Sequence, residues 1–262
     1  MTANSNDVVL FERVEGHIAL VTINRESARN AVNGDVAAGL DAIVKQTDAD
    51  PDVWAVVLTG AGQKVFCAGA DLKELSAGRG DKLMTRDGGF AGFVYATRTK
   101  PWIAAVEGYA LAGGLEIVLA CDMAVASDNA QFGLPEVKRS LVALAGGVFR
   151  LPRILPRALA LELIATGDTL DAQRALAHGL VNRLATPGGA VEEALKLARQ
   201  ICVNAPLAVR ESLQIARNAI ELSEPELKSQ GIAAWKRLSA TEDYKEGPRA
   251  FIEKRPPQWK GK

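Results

Sequence analysis

The sequence has little of the residue types that mark several classes of protein. Its three cysteines, Cys67, Cys121 and Cys202, are an odd number and lack the paired spacing of a zinc site or a disulfide framework. They are interpreted as reduced thiols, which predicts a cytoplasmic protein. With only two histidines, His17 and His178, a histidine-rich metal site is not expected, and we predict no metal.

An excess of one charge and long apolar runs are also missing. Lys and Arg together number 31, as do Asp and Glu, so we expect no nucleic acid and no anionic membrane as the main partner. No apolar run approaches the roughly 18 residues that a membrane span needs. The N-terminus has no basic region followed by an apolar core, so no signal peptide is expected.

What is present favours an α/β protein with a large core. Hydrophobic residues make up 48% of the 262 residues and charged residues 24%, which is ordinary for a globular chain. Strand and helix patterns alternate up to about residue 185, and only helical patterns follow. The alternation predicts largely parallel strands, with residues 1–189 as the α/β core. Residues 190–262 are predicted as a helical region that forms either a separate cap or an assembly element.

The individual helices and strands are predicted from hydrophobic periodicity and from the residues that begin or end such elements. Residues 8–13 and 17–23 are predicted as a hairpin, Asn33 as the N-cap of the first helix, and 76–92 as a loop or partly ordered helix. The other predicted strands are 54–59, 102–106, 123–127 and 180–184, and residues 64–74 are predicted to pass from a strand through a small-residue turn into a short helix. The predicted helices are 34–46, 113–121, 150–167, 169–178, 190–204, 206–222, 226–239 and 241–254.

One stretch combines a small-residue turn with two carboxylates. Residues 112–114 (AGG) precede Glu116 in an apolar run, and Glu136 follows a second apolar run and a proline. Glycines let a backbone approach a ligand closely, and a helix start offers free N–H groups to an anion. Two acids beside such a turn indicate acid/base chemistry on a carbonyl compound. The alternative is a pair of surface carboxylates, with Glu136 solvated near Lys138 and Arg139.

Seven segments in register resemble the enoyl-CoA hydratase/isomerase (crotonase) superfamily, from Val8 to Trp259. They are NRESARNAVN (24–33), FCAGADLKE (66–74), GYALAGGLE (108–116), FGLPE (132–136), AGG (145–147), TGDTLDAQRALAHGLVNRL (166–184) and EDYKEGPRAFIEKR (242–255). The resemblance implies a spiral of ββα units followed by an all-helical trimerisation region. It also implies a homotrimer or a hexamer built as a dimer of trimers.

The resemblance further implies the site. The backbone N–H groups of Ala68 and Gly113 are expected to form an oxyanion hole for a thioester, Glu116 to hold and activate water, and Glu136 to exchange the proton at the α-carbon. Coenzyme A is part of the substrate, so no separate cofactor is expected. The residues expected to contact the acyl-CoA are Ala28, Arg29, Ala68, Gly69, Ala70, Asp71, Leu72, Gly113, Leu144, Phe251 and Lys254. Taken alone, Phe66–Asp71 favours a purely structural strand-to-helix turn that needs small residues, while Arg29 and Lys254 are equally surface cations.

Having both acids favours a hydratase of fatty acid metabolism, because related isomerases commonly use one acid and dehalogenase-type relatives an Asp with a His. His178 is interpreted as structural. The segment from Ser140 to Gly147 lacks the family's usual Pro and one Gly, and Leu144 is expected to keep a backbone N–H while its side chain narrows the pocket. Three alternatives remain: a carnitinyl-CoA-type dehydratase or isomerase, a non-catalytic acyl-CoA-binding protein, and a nucleic-acid-binding homologue, which the zero net charge disfavours.

Overall fold

The computed structural model describes residues 7–262; the N-terminal segment 1–6, predicted to be loose, lies outside the described residues. The strands are β1 (Val9–Glu15), β2 (Ile18–Ile23), β3 (Ala55–Gly60), β4 (Val65–Cys67), β5 (Met84–Thr85), β6 (Gly89–Phe90), β7 (Trp102–Val106), β8 (Tyr109–Leu111), β9 (Met123–Ser127), β10 (Gln131–Gly133), β11 (Thr169–Asp171) and β12 (Arg183–Ala185). The helices are α1 (Gly34–Ala49), α2 (Leu72–Ser76), α3 (Gly113–Ala120), α4 (Gly147–Ile154), α5 (Arg157–Thr166), α6 (Ala172–Ala177), α7 (Ala190–Cys202), α8 (Pro206–Arg217), α9 (Glu224–Ser239) and α10 (Glu242–Ile252).

Two sheets share the α/β core. The six-stranded sheet has the order β1-β2-β3-β7-β9-β12 and is parallel apart from the β1–β2 hairpin. The four-stranded sheet has the order β11-β10-β8-β4, in which β4, β8 and β10 are parallel. Successive strand pairs, β3 with β4, β7 with β8 and β9 with β10, place one strand in each sheet before the chain turns into the next helix. This is the predicted spiral of ββα units, and the α/β class is confirmed.

Long elements with clear periodicity match their predictions. The hairpin forms, β7 and β9 have the predicted bounds, and the Asn33 side chain accepts the Val36 N–H at 3.0 Å to cap α1. Every residue of β3 and of β7 is buried, as expected for strands covered on both faces.

Short elements account for the errors. The strands β8 and β10 were not predicted, because three residues carry too little alternation to show a period of two. The segment predicted as one helix from residue 169 begins with strand β11, and the strand predicted from residue 180 begins at Arg183. Residues 76–92 form a 3-10 turn (Gly80–Leu83) and the small ribbon of β5 and β6.

The helix α7 covers the back of the six-stranded sheet. Its alanines at 190, 194 and 198 form a smooth stripe that packs with Leu195 against Ile18, Val57 and Ile103. The sheet of the predicted core (1–189) is therefore covered by the first helix of the predicted C-terminal region. The domain division at residue 189 stays a prediction. Over residues 7–262 no helix is both long enough and apolar enough to span a bilayer.

Candidate active site

The turn after β4 lies directly against the start of α3. Gly69 has φ of +90°, and a Cβ added there would lie 2.8 Å from the Ala112 Cβ and 2.9 Å from the Gly113 nitrogen. No side chain fits that gap. The requirement for glycine is therefore steric as well as conformational, and it brings the 68–71 turn onto the N-terminus of α3.

Close backbone packing also fixes the first turn of α3. A Cβ on Gly114 would collide with the Cys67 carbonyl oxygen, and one on Gly113 would collide with the Phe90 ring. Gly113 is the first residue of the helix, so its N–H has no partner within the helix. No hydrogen bond of the described residues uses this N–H. It is a free donor at the positive end of a helix.

The second donor is not the one that the resemblance implied. The Ala68 N–H donates to the Arg29 carbonyl at 3.1 Å, and this bond holds the two loops together. The prediction that Ala68 supplies an N–H to a thioester is therefore wrong for this structure, because that N–H already has a partner.

Two residues further on, the geometry is different. Val32 donates to the Gly69 carbonyl and accepts from the Asp71 N–H, both at 2.8 Å, so Ala70 lies between two bonds and takes part in neither. Among the described residues its N–H has no acceptor. Ala70 and Gly113 thus supply the pair of free N–H groups on the two touching elements.

Glu116 is buried one turn into α3, with 3% of its surface exposed. Its Oε1 accepts the Gly147 N–H at 2.9 Å. Burial raises the pKa of Glu116 to about 7, and the charge of Glu136 adds to the increase. The N–H groups of Gly147 and Ala145 and the charge of Arg150 act in the opposite direction. At neutral pH the acid and its carboxylate are both populated.

Glu136 faces the same space from the 3-10 turn Pro135–Arg139. Its Oε2 is buried without a hydrogen-bond partner among the described residues. Burial raises the pKa of Glu136, against the lowering effects of its own backbone N–H and of Arg139. A buried carboxylate oxygen without a partner is rare in a structural role, so this oxygen is available to water or substrate.

Leu144 keeps the expected backbone N–H, but this N–H is engaged within its own segment. It donates to the Val142 carbonyl at 2.9 Å, and the side chain is 75% exposed. That the side chain narrows the pocket stays a prediction. Ala143 and Leu144 stand where the family usually has Pro-Gly. Here Ala143 is buried and packs directly against Gly147, because a Cβ on Gly147 would lie 2.9 Å from the Ala143 Cβ.

A cleft of about 610 Å³ opens beside Ala68 and Arg29, a volume in the range of small-molecule sites. Its lining residues are Arg29, Gln63, Lys64, Val65, Ala68, Gly108, Tyr109, Leu111 and Asn129. Sequence reasoning missed most of them. In β8 only the central Ala110 is fully buried and its neighbours Tyr109 and Leu111 line the cleft, but three residues carry too little alternation to show this in the sequence.

Of the other residues expected to bind CoA, Ala28, Asp71 and Leu72 lie close in the chain to Arg29 or Ala70. Ala28 ends a 3-10 turn next to Arg29, and Leu72 is exposed at the start of α2. The Asp71 side chain is already engaged: it accepts the Lys73 N–H at 3.0 Å as the N-cap of α2 and pairs with Arg25 at 3.2 Å.

Phe251 and Lys254 lie at and just after the C-terminal end of α10. The Phe251 side chain is 86% exposed. The contact of both residues with CoA stays a prediction.

Two free N–H groups on touching elements, with one buried and one half-buried glutamate alongside on a ββα spiral, define an enzyme of the crotonase type. A sequence profile of the enoyl-CoA hydratase/isomerase family matches residues 13–262. The chain therefore belongs to the enoyl-CoA hydratase/isomerase family.

Individual relatives cover nearly the whole chain. The carnitinyl-CoA dehydratase of Proteus mirabilis is 39% identical over 94% of this chain and 96% of its own length. The crystal structure of an enoyl-CoA hydratase from Mycobacterium tuberculosis is 44% identical with a TM-score of 0.93, over 98% of this chain and 100% of that one. The structure of a carnitinyl-CoA hydratase from Mycobacterium avium is 48% identical with a TM-score of 0.77, over 98% and 100% of the two chains.

Proposed function

We propose that the protein adds water across the 2,3 double bond of a 2-enoyl-CoA to give a 3-hydroxyacyl-CoA, and catalyses the reverse elimination. The observation that carries this proposal is the buried Glu116 and the half-buried Glu136, whose Oε2 is buried without a partner among the described residues, beside the free N–H groups of Ala70 and Gly113. Hydration requires two acid/base groups, because the water that bonds to C3 loses a proton while C2 gains one.

The N–H pair acts on the thioester oxygen. As the water oxygen bonds to C3, the π electrons of the double bond move toward C2 and the carbonyl, and negative charge develops on the carbonyl oxygen. Two donors on rigid backbone stabilise that charge without reorganising, and each is worth roughly 3 kcal/mol in comparable sites. The positive end of α3 contributes in the same direction at Gly113.

The carboxylates move the protons. In the forward direction the Glu116 carboxylate takes a proton from water, whose oxygen bonds to C3, and protonated Glu136 delivers a proton to C2. The reverse reaction returns each proton by the same route. The raised pKa values suit this exchange near neutral pH, and the charge of Glu136 adds to the increase at Glu116.

Isosteric variants test the assignment. Glu116→Gln and Glu136→Gln are each expected to lower hydration of crotonyl-CoA by at least about a hundredfold, the effect of losing a general acid or base. Calorimetry should still show binding of a saturated acyl-CoA. Glu162→Gln, at an exposed position of α5, is the matched control. Full activity in either active-site variant would exclude the proposed roles.

The acyl-CoA lies, in this proposal, with its CoA part near Arg29 and the 610 Å³ cleft and its acyl part toward Glu116. The protein works in the cytoplasm as a homotrimer or as a dimer of trimers. Exposed apolar side chains at Ile232, Trp235 and Phe251 support assembly through the C-terminal helices. Sedimentation velocity is the test, and a monomer at micromolar concentration would exclude it.

A carnitinyl-CoA substrate is the second candidate, because relatives at 39% and 48% identity carry the names carnitinyl-CoA dehydratase and hydratase. The elimination would use the same acid pair, and only the acyl group differs. Turnover of crotonyl-CoA, longer 2-enoyl-CoAs and carnitinyl-CoA should be compared by kcat/KM. A preference of more than about tenfold for carnitinyl-CoA, or 1.4 kcal/mol in the transition state, would favour this candidate.

A further inference from the structure

The orientation of Glu116 depends on a turn that does not belong to its own helix. The backbone N–H groups of Gly147 and Ala145 face its carboxylate, and both lie between the 3-10 turn of Glu136 and helix α4. Gly146, between them, has φ of +117°. The position of these two N–H groups is therefore set by whatever holds the turn at residues 144–147.

Two side chains hold this turn, Tyr95 from the 93–96 segment and Arg150 from α4. The Tyr95 hydroxyl donates to the Leu144 carbonyl at 2.9 Å. The Arg150 guanidinium donates through Nη2 to the Val94 carbonyl at 2.7 Å and through Nη1 to the Ala145 carbonyl at 3.3 Å. The Tyr95 bond joins the 93–96 segment to the turn, and the Arg150–Ala145 bond joins α4 to the turn. The Arg150–Val94 bond joins α4 to the 93–96 segment, so the three bonds together connect the two walls around the turn.

The two side chains also contact each other. The Arg150 guanidinium carbon lies 5.3 Å from the centre of the Tyr95 ring, within range of a cation–π interaction. A Cβ on Gly146 would lie 2.5 Å from Arg150 Nη1, so the guanidinium rests directly on the glycine. The absence of a side chain at residue 146 is what lets Arg150 reach the backbone of the turn.

A few ionisable groups surround this pair. The charged groups that act on Glu116 include Glu136 from the 3-10 turn and Arg150 from α4. The ionisable groups that act on Arg150 include Glu116, Tyr95, Cys121 and Arg153. Arg150 therefore has two separable effects on Glu116, its charge and its contact with the turn.

We propose that Tyr95 and Arg150 are positioning residues that clamp the turn at residues 144–147 between two walls and so hold the N–H groups that orient Glu116. The proposal rests on the proposed function, in which the orientation of Glu116 decides the rate. Neither side chain touches substrate in this role. The clamp acts through Leu144 and Ala145, at carbonyls that carry no chemistry themselves.

Tyr95→Phe removes one bond and leaves the ring and the charges in place. We expect kcat for hydration to fall about fivefold, the effect of one ordinary hydrogen bond, with KM nearly unchanged. A looser turn weakens the N–H bonds that favour the Glu116 carboxylate, so the acid limb of the pH–rate profile should move to higher pH. Tyr244→Phe makes the same change at a tyrosine of similar exposure on α10 and should alter neither quantity.

Arg150→Lys separates charge from contact. The lysine keeps the positive charge near Glu116, but its single nitrogen does not span the Val94 and Ala145 carbonyls as a planar guanidinium does. We expect a loss of about a hundredfold in kcat, as for a catalytic group displaced by roughly 1 Å. Arg153→Lys, one turn along α4, is the matched control.

A second measurement keeps this inference separate from the hydratase proposal. The titration of Glu116 can be followed by NMR in protein with carboxyl-labelled glutamate, with the signal assigned by its loss in Glu116→Gln. The clamp predicts a higher Glu116 pKa in Tyr95→Phe and in Arg150→Lys, whichever acyl-CoA the enzyme prefers. Full activity in Arg150→Lys, or an unmoved titration in Tyr95→Phe, would overturn the clamp. Absence of turnover in the wild type would instead overturn the proposed function.

Discussion

Replacing Gly69 by alanine is expected to separate the two N–H donors. The new Cβ would lie 2.8 Å from the Ala112 Cβ, and ordinary contact begins near 3.4 Å, so the turn and the start of α3 must move apart by 3.4 − 2.8 = 0.6 Å. Productive sites tolerate displacements of only about 0.5 Å. Because the shift falls between Ala70 and Gly113, one donor loses contact with the thioester oxygen, and kcat should fall by about a hundredfold or more.

The same change strains the backbone, and a control separates the two effects. Gly69 has φ of +90°, and an alanine held there costs about 1–3 kcal/mol of stability. Gly179 has φ of +79° but nothing within 4 Å of an added Cβ, so Gly179→Ala carries the strain without the collision. The assays are thermal unfolding and hydration kinetics of both variants. If Gly69→Ala keeps the activity of Gly179→Ala, contact between the two elements is not what places the donors, and the reasoning is refuted.

Three further predictions concern buried charges. Burial raises the pKa of Glu116 from 4.5 to about 7, so the stability that the protonated carboxyl contributes is present below pH 4.5 and is lost as pH rises through 7. Glu116→Gln, although inactive, should therefore be more stable than the wild type above pH 8, by up to roughly 3 kcal/mol. Denaturant unfolding across the pH range measures this difference. Glu107 is buried and accepts the Gly188 and Ala190 N–H groups at the start of α7. Glu107→Ala should therefore lower the free energy of unfolding by about 2 kcal/mol or more while hydration stays nearly unchanged. An unaltered unfolding midpoint would contradict this capping role. Burial lowers the pKa of Lys100 from 10.5 to about 8, so wild-type stability should rise between pH 8 and 10.5 relative to Lys100→Met, and a parallel pH dependence would contradict it.

The motif residues were predictable because their chemistry is local. Glu116 in an apolar run after three small residues already indicates a buried acid at the start of a helix, and the structure has it 3% exposed. Likewise Asn33 before an amphipathic stretch predicts a capped helix. These signals lie within one or two turns of chain, where propensity and periodicity act directly.

The identity of the second donor was not predictable in the same way. Ala68 and Ala70 are both small residues of one turn, and nothing in the turn itself distinguishes their N–H groups. The distinction comes from the preceding loop, where the Arg29 carbonyl takes the Ala68 N–H and Val32 pairs on either side of Ala70. Hydrogen-bond partners distant in the chain decide which amide is free.

The sequence by itself determined the α/β class, the long strands and helices, and the two acids beside a glycine turn, because each is written in neighbouring residues. Only the tertiary structure decided which N–H groups are free, how far burial raises the pKa of Glu116, and how Tyr95 and Arg150 reach the turn at residues 144–147. The physical reason is that desolvation and hydrogen-bond pairing depend on groups from separate parts of the chain. No local sequence pattern encodes those tertiary contacts.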